Sequence, residues 1–185
     1  MLQRLMTCWH DALADLDPRA RAAGAIALVV AINQPFYPLY LHAIAGASAM
    51  GAWLTLLSTP FFAAVPAIAR RHSLIGRAML PLVGVANTML GVKLLGTASA
   101  VELFLLPCIL LAALLFRPGE RVVMVPAVLA PVTAYLIADG ILGPPLHEFS
   151  VEEYRSMIAL HAASVGALTA LIGLQFSAAL SVRGA

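Results

Sequence analysis

The apolar positions of the chain fall into six long blocks separated by charge, Gly or Pro, at Ala22–Ala43, Ser48–Ala69, Ala78–Leu95, Ala98–Phe116, Val122–Leu142 and Met157–Val182. Each approaches the roughly 20 residues that a helix needs to cross a hydrocarbon core. The runs are continuous rather than alternating, and backbone in lipid must satisfy its own hydrogen bonds, so the blocks predict helices and not a barrel. Ahead of them, Leu2, Leu5, Met6, Trp9, Leu13 and Leu16 share one helical face, with Gln3, Arg4, His10, Asp11 and Asp15 mostly on the other. That pattern predicts a short amphipathic helix lying on the membrane surface over residues 1–17. Asp17 and Pro18 suit the N-cap and first turn of the helix that follows. The expected architecture is an all-α polytopic membrane protein, a six-transmembrane-helix bundle over residues 18–185 preceded by the interfacial helix.

The stretch from Gly143 to Ser156 is the one long connection, and it is acidic through Glu148, Glu152 and Glu153. Within it, Ser150 followed by Glu153 matches a capping box, which starts the last helix near Val151. That helix would run ~48 Å at 1.5 Å per residue, well beyond a hydrocarbon core of ~30 Å, so it tilts or protrudes. No internal repeat and no inverted three-plus-three symmetry of the kind found in secondary transporters is evident.

Composition sharpens this picture. With 62% hydrophobic and 11% charged residues in 185 and a mean hydropathy of +0.94, the chain is an integral membrane protein rather than a soluble domain. The spans consume nearly all of its length, which leaves no room for a catalytic domain of ordinary size. Eleven Lys and Arg against nine Asp and Glu provide no basic stripe for a nucleic-acid backbone. Six spans place Arg4, Arg19, Arg21, Arg70, Arg71, Arg77, Arg117, Arg121 and Arg183 on one side and only Lys93 and Arg155 on the other. By the positive-inside rule both termini are then cytoplasmic. Asp11, Asp15 and Asp17 between the start and the first apolar run argue against a signal peptide. Cys8 and Cys108 are too differently placed for a structural disulfide.

Ionisable groups inside a span are expensive and mark functional candidates. The alternating direction of the spans puts His42, Lys93 and Asp139 near the outer ends of the first, third and fifth helices, with Glu102 and His161 about one turn below the outer surface. These five groups predict an outward-facing polar cup, while the inner half offers Gln175 as its main polar residue. His42, Glu102, Asp139 and His161 are candidate ligands for a divalent metal, and Lys93 with the histidines could hold an anionic ligand. The competing reading is an ion-pair network that ties helices together, for example Lys93 with Glu102 or Asp139. Tyr40 follows Asn33, Gln34 and Tyr37 in a segment interrupted by Pro35 and Pro38, and Tyr135 shares a helix face with Asp139. Both tyrosines join the candidate ligand-binding set, since a broken helix beside a polar pocket is a recurrent binding device. Asn87, flanked by Gly84 and Gly91, reads instead as an interhelical hydrogen bond at a close helix approach.

Catalytic machinery is not evident: the chain lacks HExxH, GxSxG, P-loop and GxGxxG patterns. The run Ala100-Val101-Glu102-Leu103-Phe104-Leu105-Leu106-Pro107, with its apolar continuation to Leu115-Phe116-Arg117 and then Glu120-Arg121, resembles the central part of six-helix bacterial sensory modules. Those modules precede class III adenylate cyclases, diguanylate cyclases and histidine kinases. The resemblance implies a non-enzymatic receptor, commonly a homodimer, whose ligand alters a cytoplasmic output, and it singles out Glu102. Only Arg183, Gly184 and Ala185 follow Val182, so the expectation is either the sensory part of a longer protein or a stand-alone relative that acts through a cytoplasmic signalling partner. A small transporter or substrate-binding transporter subunit, and a subunit of a larger membrane complex, are the alternative readings.

Overall fold

The computed structural model describes Leu13 and residues 15–181, with side chains to Ser177. Every regular element among the described residues is a helix, with no strand. Helix α1 (Pro18–Asn33) opens where the sequence signals it: the Asp17 carboxylate accepts from the backbone N–H groups of Arg19 at 3.1 Å and Ala20 at 3.2 Å, and Pro18 occupies the first turn. Pro35 interrupts the ladder, and α2 (Phe36–Ala45) resumes after a turn closed by Tyr37 N–H on the Gln34 carbonyl. Gly46, at φ 58°, reverses the chain. A 3-10 segment (Gly46–Ser58) and α3 (Thr59–Arg71) then run back along α2 and α1.

Helix α4 (Ser73–Leu95) lies at the centre, packed against α1, the 3-10 segment, α3 and helical elements between Thr97 and Leu142. Two short 3-10 turns (Thr97–Ser99 and Val101–Phe104) lead into α5 (Leu105–Leu115). A further 3-10 turn (Pro118–Glu120) precedes α6 (Arg121–Leu142), and α7 (Val151–Ser181) closes the bundle. The capping box is present at α7: Ser150 N–H donates to Glu153 Oε2 at 2.7 Å, and Glu153 N–H to Ser150 Oγ at 3.3 Å.

Four helical stretches are long and apolar enough to cross a membrane: Pro18–Arg71, which folds back on itself at Gly46, then Ser73–Leu95, Pro118–Leu142 and Val151–Ser177. Val101–Leu115 is a shorter apolar helix. Much of the bundle's outer surface is apolar, including Ile32, Leu57, Val122, Leu136 and Leu174. An apolar surface is the one a hydrocarbon solvent accepts, which fits a membrane protein.

Besides the first, interrupted at Pro35, two of the expected spans are not simple α-helices. The Ser48–Ala69 block begins as 3-10, where Thr55 Oγ1 donates to the Ala52 carbonyl and Ser58 Oγ to the Thr55 carbonyl, each three residues back. At ~2.0 Å per residue such a segment reaches further than an α-helix of equal length. The Ala98–Phe116 block is broken at Ala100, whose φ of 58° is unusual outside glycine, so only Leu105–Leu115 is α-helical there.

Residues 1–12 and 14, most of the expected interfacial helix, lie outside the described residues. Its last apolar positions, Leu13 and Leu16, are buried against Ala20, Ala25 and Ala69. That end packs on protein rather than lipid, and Arg21 holds the Leu13 and Leu16 carbonyls. Residues 182–185 at the end of the last expected span also lie outside the description.

Candidate functional site

The bundle has two polar ends and a chamber between them. One end carries the 143–150 loop and all the ionisable residues expected to form a cup. His161, on α7, is fully buried, and both ring nitrogens are engaged: Nδ1 lies 2.7 Å from the Ser99 carbonyl and Nε2 2.9 Å from the Tyr37 hydroxyl. A carbonyl can only accept, so Nδ1 carries a proton; in the neutral imidazole Nε2 then accepts from the Tyr37 hydroxyl. Phe104 meets the ring edge-on at 5.9 Å between centroids. Lys93 Nζ donates to the carbonyls of Leu142 at 2.9 Å and Pro144 at 2.8 Å. It therefore caps the C-terminus of α6, where a cation suits both the open carbonyls and the helix dipole.

Glu102 is half-buried in the 3-10 turn, and its Oε2 has no hydrogen-bond partner. The charge of Asp139 acts on it. Asp139, His42, Tyr40 and Tyr135 are all exposed. Among the described residues no group of three or more His, Cys, Asp or Glu side chains is placed to hold a metal ion. His42, Glu102, Asp139 and His161 thus do not assemble the expected ligand set, because His161 spends both nitrogens on protein partners. Nor does Lys93 pair with either carboxylate; backbone carbonyls take its ammonium.

The chamber lies deeper. A cavity of about 570 Å³ is lined by α1, α2, the 3-10 segment, α3, α4, the Val101–Phe104 turn, α5 and α7, a size ordinary for small-molecule sites. Its walls are mostly apolar, and no Asp, Glu, Lys, Arg or His is among the lining residues. The polar lining centres on a bridge between helices: Gln34 Nε2 donates to Ser58 Oγ and to the Thr55 carbonyl at 3.2 Å, and Ser58 Oγ lies 3.0 Å from Asn87 Oδ1. Asn87 thus makes the interhelical hydrogen bond its position suggests. It also faces the chamber, as do Tyr37, Tyr40 and Ser164. A methyl group on Gly84 would stand 2.7 Å from Cys108 Sγ, and one on Gly91 2.9 Å from Val101, so the two glycines do mark a close approach.

Sequence reasoning placed Tyr40 at a site but left Gln34 and Asn87 out of it. The available signal was the polar trio Asn33, Gln34 and Asn87 inside otherwise apolar blocks.

The opposite end holds a charged network the sequence did not announce. Arg77, 2% exposed, makes a bidentate pair with Glu120 at 2.8 and 2.7 Å and also donates to the Leu115 carbonyl at 2.7 Å. Arg77 Nε lies 3.2 Å from Ser73 Oγ, and that hydroxyl donates to Asp17. Arg117 stands 3.7 Å from Asp17. Burial alone would raise the Asp17 carboxyl, but the Ser73 hydroxyl, the Ala20 and Arg19 N–H groups and the Arg77 charge outweigh it and hold the pKa below the ordinary value. This network joins the starts of α1 and α4 to the turn before α6.

No family model matches the chain, and no curated protein or solved structure resembles it significantly.

Proposed function

We propose that the protein is a sensory, ligand-binding membrane module whose ligand occupies the chamber within the bundle and whose output element is α7. One observation carries the reading: the chamber wall includes Tyr37, and the Tyr37 hydroxyl is held by His161 of α7. A ligand transmits only by binding two arrangements of a protein differently. A group that displaces or engages Tyr37 changes the partner of a fully buried imidazole, and the low-dielectric surroundings make an unmade hydrogen bond there costly. The binding residues of the proposal are therefore Gln34, Tyr37 and Asn87, in place of the outward cup.

In this reading the chain spans the inner membrane of a bacterium six times, with the fold at Gly46 dividing Pro18–Arg71 into two spans and Val101–Leu115 supplying a short one. Both termini are cytoplasmic. The module acts as a homodimer through α7, where Ala159, Ala163, Gly166, Ala170 and Gly173 repeat at alternating four- and three-residue spacing on its exposed side. Small residues at that period let two helices approach closely in lipid. The signal passes to a cytoplasmic partner. The resemblance to six-helix sensory modules supports the same reading, and transport has less support, since Arg77 and Glu120 tie the inner ends together.

The test is native mass spectrometry of the protein released directly from its own membranes. One adduct per chain is expected, and it disappears in Ala167→Trp, which fills the chamber from α7. Identical spectra for wild type and variant, with no adduct on either, would overturn the reading.

A further inference from the structure

Resting on that reading, we infer that the chamber selects a neutral amphiphile: a hydrocarbon chain or ring carrying one uncharged hydrogen-bonding group such as a ketone, hydroxyl or amide, which enters sideways from the lipid. Three observations support it.

The first is charge. No Asp, Glu, Lys, Arg or His lines the chamber, so a charged ligand would lose its hydration with no opposite charge to replace it, a loss of several kcal/mol or more. Two cations within the apolar helices are committed elsewhere: Lys93 to backbone carbonyls and Arg77 to Glu120.

The second is an open donor and an open acceptor at one place. Gln34 is 6% exposed, and its Nε2 is fully used on Thr55 and Ser58, which leaves Oε1 without a protein partner beside the chamber. The one Ser58 hydroxyl proton is shared between the Thr55 carbonyl and Asn87 Oδ1, which leaves the two Asn87 Nδ2 hydrogens. Ser58 fixes both carboxamides relative to each other. A ketone oxygen fits the Asn87 donor, and a hydroxyl or amide N–H additionally fits the Gln34 acceptor.

The third is access and depth. Val29, Ile32, Phe36 and Tyr40 line the chamber and are also 37–61% exposed on the outer surface of the bundle, so the chamber reaches the perimeter along α1 and α2. Asn87 lies eight residues before the end of α4 at Leu95, or ~12 Å at 1.5 Å per residue. That depth is within hydrocarbon, out of reach of a phospholipid headgroup held at the surface. The ligand's polar group must itself be at home inside a bilayer.

The experiment offers delipidated protein three probes of matched alkyl chain: 2-tridecanone, undecyltrimethylammonium, and dodecanoate at pH 9. Adducts are counted by native mass spectrometry, with a palmitoyl-oleoyl phosphatidylglycerol arm. The inference expects one saturable 2-tridecanone per chain, bound at least about tenfold tighter than either charged probe. It expects Asn87→Leu to weaken that binding by about the same factor and Ala167→Trp, on an exposed position that does not endanger folding, to remove it. Asp139→Asn leaves it unchanged. Equal or tighter binding of a charged probe, or displacement of the ketone by the phospholipid at equal concentration, overturns the inference while the ligand-binding reading stands. Failure of every probe to bind, together with no adduct from native membranes, overturns both.

Discussion

The two ends of the bundle carry polar groups of comparable chemistry but use them in opposite ways. At the basic end Arg77, Glu120, Ser73 and Asp17 satisfy one another in a closed, charged network. At the loop end the charges are dispersed: Lys93 serves as a helix cap, Asp139 and His42 are exposed, and Glu102 keeps an oxygen without a partner. Tyr37, hydrogen-bonded to His161 behind it, reaches inward to the chamber wall. Charged groups in a low-dielectric setting are tolerated when fully paired, and once paired they act as clamps. Neutral polar groups can be left half-satisfied at lower cost, which keeps them available to a ligand.

Breaking the clamp has the largest expected effect. Arg77→Leu strands Glu120 and the Leu115 carbonyl, and removing one partner of a buried pair costs ~3–5 kcal/mol. The lower end of that range applies because Glu120 is 22% exposed. A thermal melt in detergent should show a large fall in Tm for Arg77→Leu and no comparable fall for Asp139→Asn; equal falls would erase the distinction between the ends.

The relay comes next. Tyr37→Phe removes one neutral hydrogen bond, worth ~1 kcal/mol plus the cost of an unsatisfied His161 nitrogen. Its sharper signature is loss of transmission. With Cys8 and Cys108 replaced by Ala and spin labels on Val122→Cys and Leu174→Cys, 2-tridecanone should shift the inter-label distance. Tyr37→Phe should abolish the shift while the ketone still binds. A shift that survives the substitution would remove Tyr37 from the path.

The smallest effect separates charge from capping at Asp17. Its folded pKa lies below the unfolded value, so its charge stabilises the fold above about pH 4 and that contribution fades as pH falls through the folded pKa. Asn caps a helix about as well as Asp. Asp17→Asn should therefore cost ~1 kcal/mol or less near pH 7, and the gap to wild type should close toward pH 3. A gap independent of pH would mean that the carboxylate acts only as a cap.

These distinctions were unevenly legible in the sequence. Asp17-Pro18 and the Ser150–Glu153 box marked their helix starts because capping is a local chemistry of neighbouring residues. The apolar blocks found the helices, but not the 3-10 geometry after Gly46 or the break at Ala100, which depend on packing around the turn. Depth along the spans put His161 and Lys93 at the same end, correctly, yet depth says nothing about which way a side chain turns. Arg77 was read only as an orientation signal, because its partner Glu120 lies 43 residues away. Gln34 and Asn87 stood out as polar residues in apolar blocks; that they converge through Ser58 is a tertiary fact.

The most direct test of the chamber as the site is a crystal structure grown from a lipidic mesophase containing 2-tridecanone. Continuous density should run from the α1–α2 perimeter to Asn87 and Gln34, with Tyr37 at its side. Density at Lys93, Glu102 and Asp139 instead, or a chamber filled by its own side chains, would contradict the account.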